Sequence, residues 1–120
     1  MIDKKGSQKK IGDQFTKLYK EVNDNVGDLQ YVWFDFHGEC KKMKWENLSK
    51  LVDIVQDQLK SYGHFTAEIT STPGNSFYSP ETVKILTTQT GTFRTNCMDC
   101  LDRTNVVQGV FSRYVAHEQL

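Results

Sequence analysis

The sequence predicts an α/β fold, a mixed sheet flanked by helices, and three observations carry that expectation. An apolar run rich in aromatic and β-branched residues, Leu29 to Phe36, has the composition of a strand covered on both faces. Ile11 to Val22 and Trp45 to Leu59 each bring apolar residues to one side of a helix. Near the C-terminus, extended residues give way to a short polar loop and then to a helical pattern from Val106 to Val115, so that strand, loop and helix follow one another.

Taken in order, residues 1 to 10 are polar, with lysine pairs at Lys4 and Lys5 and at Lys9 and Lys10. They read as a solvated, fraying end, with enough positive charge to meet lipid phosphates as the alternative. Ile11, Phe15, Leu18, Tyr19 and Val22 predict an amphipathic helix that stops before Asn25 to Asp28. In the run that follows, Asp35 stands out, because an unpaired carboxylate in a sheet interior costs several kcal/mol; it must be paired or lie at the sheet's end. Ligands of open α/β sheets bind beyond the carboxyl ends of the strands, which would bring Asp35, His37, Glu39 and Cys40 toward a site. The alternative is that Asp35 and His37 tie loops together by hydrogen bonds.

Lys41, Lys42 and Lys44 form a basic cluster, either a landing place for an anionic group or a solvated approach to the next helix. That helix is marked by Trp45, Leu48, Leu51, Val52, Val55 and Leu59 and ends near Gly63, its stripe facing the sheet. His64 to Ile69 reads as a short strand, and Ser71 to Pro80 as a loop turning at Pro73-Gly74-Asn75. Val83 to Leu86 and Thr92 to Thr95, parted by Gln89-Thr90-Gly91, read as strands around a turn. His64 and His117 stand alone and read as surface residues.

The stretch with chemistry in it is Arg94 to Asn105, Arg-Thr-Asn-Cys-Met-Asp-Cys-Leu-Asp-Arg-Thr-Asn. Cys97, five intervening residues, Arg103 and Thr104 make a loop long enough to wrap a phosphate. Between a strand and a helix, the backbone N–H groups of Met98, Asp99, Cys100, Leu101, Asp102 and Arg103 would converge on one point at a helix N-terminus, where an anion is stabilised. The same field lowers the pKa of Cys97 toward a nucleophilic thiolate. Arg103 can give a phosphoryl group two parallel hydrogen bonds, a geometry lysine lacks. Together these parts would support displacement at phosphorus through a phosphocysteine, with no metal and no cofactor.

Two features work against the simplest form of that loop. It has no glycine, so any left-handed residue must be Asp, Asn or Cys. It also holds Asp99 and Asp102 beside an anion site. Either could protonate a leaving oxygen or steer water, while Asp102 could equally cap the following helix or hold Arg103. A competing arrangement uses His37, Cys40, Cys97 and Cys100 as four zinc ligands, which would leave Arg103 unexplained and consume the nucleophile.

Arg94 to Gln108, together with Val32-Trp33-Phe34-Asp35-Phe36-His37-Gly38-Glu39-Cys40 and Met43-Lys44-Trp45, resembles the Sac-domain phosphoinositide phosphatases. Met98 and Asn105-Val106-Val107-Gln108 look most like the member of that family anchored in endoplasmic reticulum and Golgi membranes. The resemblance implies a cysteine-phosphatase-like sheet, Cys97 as nucleophile and Arg103 as phosphate ligand, with residues 97 to 103 as the phosphate loop and Met98, Cys100, Leu101 and Thr104 lining it. It implies removal of a phosphate monoester from the inositol ring, phosphatidylinositol 4-phosphate first and the 3-phosphate second, at the cytosolic face of those membranes. It also implies that residues 1 to 120 are part of a longer catalytic domain, so an inactive segment that only binds lipid headgroups or partners is the remaining alternative.

Bulk properties fit one small domain. At 120 residues the chain buries roughly 65% of its unfolded surface. Fifteen basic and fifteen acidic residues balance, which argues against nucleic acid and against wholesale attraction to an anionic membrane. Three cysteines without a signal pattern fit a reducing compartment. No apolar run approaches the roughly 18 residues a membrane helix needs.

Overall fold

A computed structural model of the chain describes residues 1–70 and 82–120. It is mostly helical, with helices α1 (Gly6–Val26), α2 (Phe36–Glu39), α3 (Leu48–Tyr62) and α4 (Asp102–Gln119), and strands β1 (Thr66–Thr70) and β2 (Thr82–Thr87). Short 3-10 turns at Lys41–Met43 and Trp45–Asn47 lead into α3. The residues group into two units, Met1–Ile54 with Arg94–Leu120, and Val55–Phe93.

In the first unit, α1 starts earlier than expected, at Gly6, where a left-handed φ of 62° suits glycine. One side of α1 meets the segment before α2. Phe15 stacks on Tyr31 at 5.5 Å between ring centroids, Tyr19 lies against the same ring at 5.3 Å, and the Tyr19 hydroxyl donates to the Leu29 carbonyl. Gly12 is buried under the Trp33 indole, which leaves no room for a side chain there. The Ile11, Phe15, Leu18 and Val22 stripe is otherwise exposed.

Phe34, Phe36, Cys40, Leu48, Leu51, Val107 and Phe111 supply this unit's buried apolar side chains. On α4, Thr104, Val107 and Phe111 are the buried residues; spaced by three and four, they fix which way the helix is turned. Asp35 caps α2, its carboxylate accepting from the Gly38 amide at 2.9 Å.

In the second unit, β1 and β2 pair antiparallel, with Ala67 opposite Ile85 and Ile69 opposite Val83. The Thr66 and Thr87 hydroxyls bond at 2.7 Å. Tyr62 packs on Phe93, with the chain held there by the Thr90 amide donating to the Tyr62 carbonyl.

These elements correct the expected sheet. Leu29 to Asp35 forms no strand, because a strand needs a neighbour for its amides and carbonyls and no other segment ladders with it among the described residues. Thr92 to Thr95 is also outside any strand, and β2 pairs with β1 instead. The mixed α/β sheet is thus replaced, among the described residues, by helices and one two-stranded hairpin. The expected loop Ser71 to Pro80, with its Pro73-Gly74-Asn75 turn, lies outside the described residues.

Gly12→Ala isolates the packing of α1. Helix propensity alone would make alanine better by about 1 kcal/mol. Overlap with Trp33 reverses the sign, so the variant is expected to unfold at lower urea concentration than the parent, as followed by circular dichroism.

Candidate active site

The candidate site forms where the segment before α4 bends into the helix. Residues 98 to 101 bend without helical or strand hydrogen bonding, and α4 begins at Asp102. Cys100 takes the left-handed conformation, φ 58°, that glycine would occupy in a more permissive loop. Asp99 secures the bend by accepting from the Leu101 amide at 3.1 Å, and the Asn105 amide reaches the Leu101 carbonyl at 2.9 Å.

Cys97 stands at the foot of this bend, partly exposed, and its sulfur is met by two groups of opposite effect. The Thr104 hydroxyl donates to Sγ at 3.2 Å. The Asp99 carboxylate accepts from the thiol at 3.4 Å. Burial pushes the thiol pKa up, but the Thr104 hydroxyl and amide outweigh it; the Asp99 carboxylate raises it and the Asp99 amide lowers it, and the net shift is downward. Thr104 is itself buried, and its amide is one of the donors that the first turn of a helix leaves unpaired. The turn of α4 that buries Val107 and Phe111 is therefore also what aims Thr104 at the sulfur.

Asp99 is fully exposed, and its carboxyl lies below the usual carboxylate range, chiefly because it accepts from the Leu101 amide and the Cys97 thiol. Asp102 is the first residue of α4, exposed, and is not the cap; Leu101 occupies that position and has no side chain to offer. Met98 and Leu101 point outward, 52% and 58% exposed, as does Cys100, whose thiol lies 3.8 Å from the Cys97 carbonyl.

Arg103 makes no hydrogen bond to the Cys97 sulfur. Its Nη1 bonds to the Met1 carbonyl, Asp3 Oδ1 and Gln8 Oε1 at 3.5, 3.4 and 3.3 Å. The expected strand before the loop is missing, and the amide ring it would have shaped is partly spent, since the Leu101 amide is taken by Asp99.

The N-terminal residues are the part of the site that sequence reasoning missed. They read as a fraying end, yet Ile2 accepts from the Trp33 indole at 2.9 Å, the Lys4 amide donates to Asp35 at 3.1 Å, and the Met1 ammonium donates to the Asn96 carbonyl at 2.6 Å. No periodicity flags such an arm; Asp3 and Gln8, whose amide and Oε1 bond at 3.0 Å, were its only signal.

Asp35 is thus tied to the arm. Burial raises its pKa, but the Gly38 and Lys4 amides and the charges of Lys4 and His37 bring it below the ordinary value. His37 is exposed on α2. Cys40 lies in the core, where burial first, and Glu39 and Glu46 next, push its thiol up. The four-ligand zinc arrangement is not assembled: among the described residues no three His, Cys, Asp or Glu side chains gather in a group that could hold a metal. No described helix is long and apolar enough to cross a membrane.

The chain resembles curated phosphatases from end to end. It is 40% identical over 120 residues to phosphatidylinositol-3-phosphatase SAC1-A of Danio rerio, matching 100% of this chain and 18% of that protein. Over 119 residues it is 35% identical to phosphatidylinositol-3-phosphatase SAC1 of Saccharomyces cerevisiae, with 99% of this chain and 18% of the relative covered. Phosphatidylinositide phosphatase SAC2 of Homo sapiens is 37% identical over 120 residues, all of this chain and 9% of that protein. The chain thus spans less than a fifth of the length of these relatives. No family model matches it, and no solved structure does.

Two substitutions should move the Cys97 pKa in opposite directions. Thr104→Val removes the hydroxyl donor and should raise it, slowing alkylation by iodoacetamide several-fold at about neutral pH. Asp99→Asn removes the carboxylate that holds the proton on sulfur and should lower it, which a pH profile of alkylation reads directly.

Asp35→Ala should cost about 1 kcal/mol of stability, for the lost α2 cap. Because the folded carboxyl lies below its unfolded value, that contribution is complete above about pH 4 and fades as pH falls through the folded pKa. Urea melts of parent and variant should therefore converge toward about pH 2.

Proposed function

We propose that this chain, homologous along its full length to the SAC1 and SAC2 phosphoinositide phosphatases, is a catalytic segment that hydrolyses a phosphate monoester of an inositol lipid through a phosphocysteine. The observation that carries the reading is the Cys97 sulfur, held at the start of α4 with a hydroxyl and an amide of Thr104 directed at it and its pKa depressed. A buried structural cysteine shows the reverse, as Cys40 does.

Cys97 attacks phosphorus as the thiolate, forming an S–P bond as the bond from phosphorus to the inositol oxygen breaks. Asp99, already accepting from the thiol, takes the proton and hands it to the leaving oxygen. Water then attacks the phosphocysteine and releases inorganic phosphate and the thiolate. Arg103 and the free amides of the bend bind the equatorial oxygens, whose charge is what a positioned guanidinium stabilises best. Asp102, exposed in the first turn of α4, favours the helix electrostatically and needs no part in the proton transfer.

The substrate class is a monophosphorylated inositol lipid, the 4-phosphate and the 3-phosphate being the two candidates. The relatives named for SAC1 carry 3-phosphatase in their names, whereas the resemblance of the loop favours the 4-phosphate. Action at the cytosolic face of endoplasmic reticulum and Golgi membranes belongs to this proposal and to the whole protein.

Phosphate release from each lipid, with and without orthovanadate, tests the reading. Vanadate-sensitive release is expected, reduced about a thousandfold or more in Cys97→Ser and about a hundredfold in Arg103→Lys. Release undiminished in Cys97→Ser would overturn it. The rate should fall as pH rises through the Cys97 pKa, because the proton that Asp99 hands to the leaving oxygen starts on the thiol.

A further inference from the structure

We propose that Asp3 and Gln8 are positioning residues for Arg103, gripping the guanidinium by one nitrogen so that its remaining edge is presented to phosphate. The inference rests on the phosphatase reading and adds the N-terminal arm to that site.

A guanidinium has five N–H donors in a rigid plane. All three acceptors that Arg103 meets, the Met1 carbonyl, Asp3 Oδ1 and Gln8 Oε1, converge on Nη1. Nε and Nη2 take no partner among the described residues, and together they offer the two parallel N–H groups that bind a phosphoryl group in a fork. A side chain parked away from the chemistry would be expected to spend that fork on a carboxylate. Here the carboxylate takes only the far corner.

The grip is built rather than incidental. Gln8 Oε1 accepts from both the Asp3 amide and Arg103, so the two acceptors are locked to each other. On either side of Asp3 the arm is tied to the segment before α2, through Ile2 to the Trp33 indole and through Lys4 to Asp35. Asp3 and Arg103 are only 29% and 27% exposed, which limits screening of the pair by solvent. An arginine side chain otherwise has many rotamers to lose on binding phosphate; holding one corner beforehand lowers that cost.

The test measures orthovanadate affinity in the 120-residue chain, by protection of Cys97 from iodoacetamide, alongside kcat and KM for a short-chain inositol-lipid monophosphate. Asp3→Ala should weaken vanadate binding about tenfold and lower kcat/KM, while the pH profile of Cys97 alkylation without vanadate stays unchanged. Asp3→Asn keeps an acceptor oxygen and should recover most of the affinity. Vanadate binding to Asp3→Ala that equals or exceeds the parent's would overturn the proposal, since Asp3 would then be inert or a competitor for the guanidinium. If Asp3→Ala does not fold, Gln8→Leu takes its place, with a smaller weakening expected and unchanged affinity again overturning the proposal. A parent chain that neither binds vanadate nor releases phosphate sinks the phosphatase reading and the grip together; a parent that does both while the variants match it sinks the grip alone.

Discussion

The site depends on one hydrogen bond, from the Thr104 hydroxyl to the Cys97 sulfur, and the packing of α4 aims that hydroxyl. Thr104 shares its face of α4 with Val107 and Phe111, and both are buried. Rotating the helix to free the hydroxyl would expose two apolar side chains, at a cost of roughly 2 kcal/mol each. Core packing one and two turns down the helix thus sets the electrostatics of the thiol. Asp99 pulls the other way, and the balance leaves the thiol pKa below its ordinary value with a carboxylate in hydrogen-bond contact.

The second half of the site comes from the opposite end of the sequence. Arg103 lies six positions after Cys97, but its surroundings are set by the first eight residues, reached through Asp3 and Gln8. That arm is in turn tied down by Trp33 and Asp35, so the Val32 to Cys40 motif holds the N-terminal residues in place. Asp35 does two jobs with one carboxylate, capping α2 and holding the Lys4 amide.

Helices were legible because their signal is local. Ile11, Phe15, Leu18 and Val22 mark α1, and Val107 and Phe111 mark α4, whatever else the chain touches. The sheet was not. Leu29 to Phe36 has the residues of a buried strand, but strand formation is decided by a partner, and none ladders with it among the described residues. Pairing of β2 with β1 instead of with Thr92 to Thr95 is the same lesson, since both choices satisfy the composition. Cys97, Arg103 and Thr104 could be singled out by spacing. The arm could not, because contacts a hundred residues apart leave no periodic trace.

Trapping the intermediate tests the central claim most directly. The chain, mixed with a monophosphorylated inositol lipid, quenched in acid within a single turnover and digested, should yield a phosphoryl group on the Cys97 sulfur, identified by mass spectrometry. A phosphoryl group found on another residue, or phosphate released with no covalent adduct at any quench time, would contradict it.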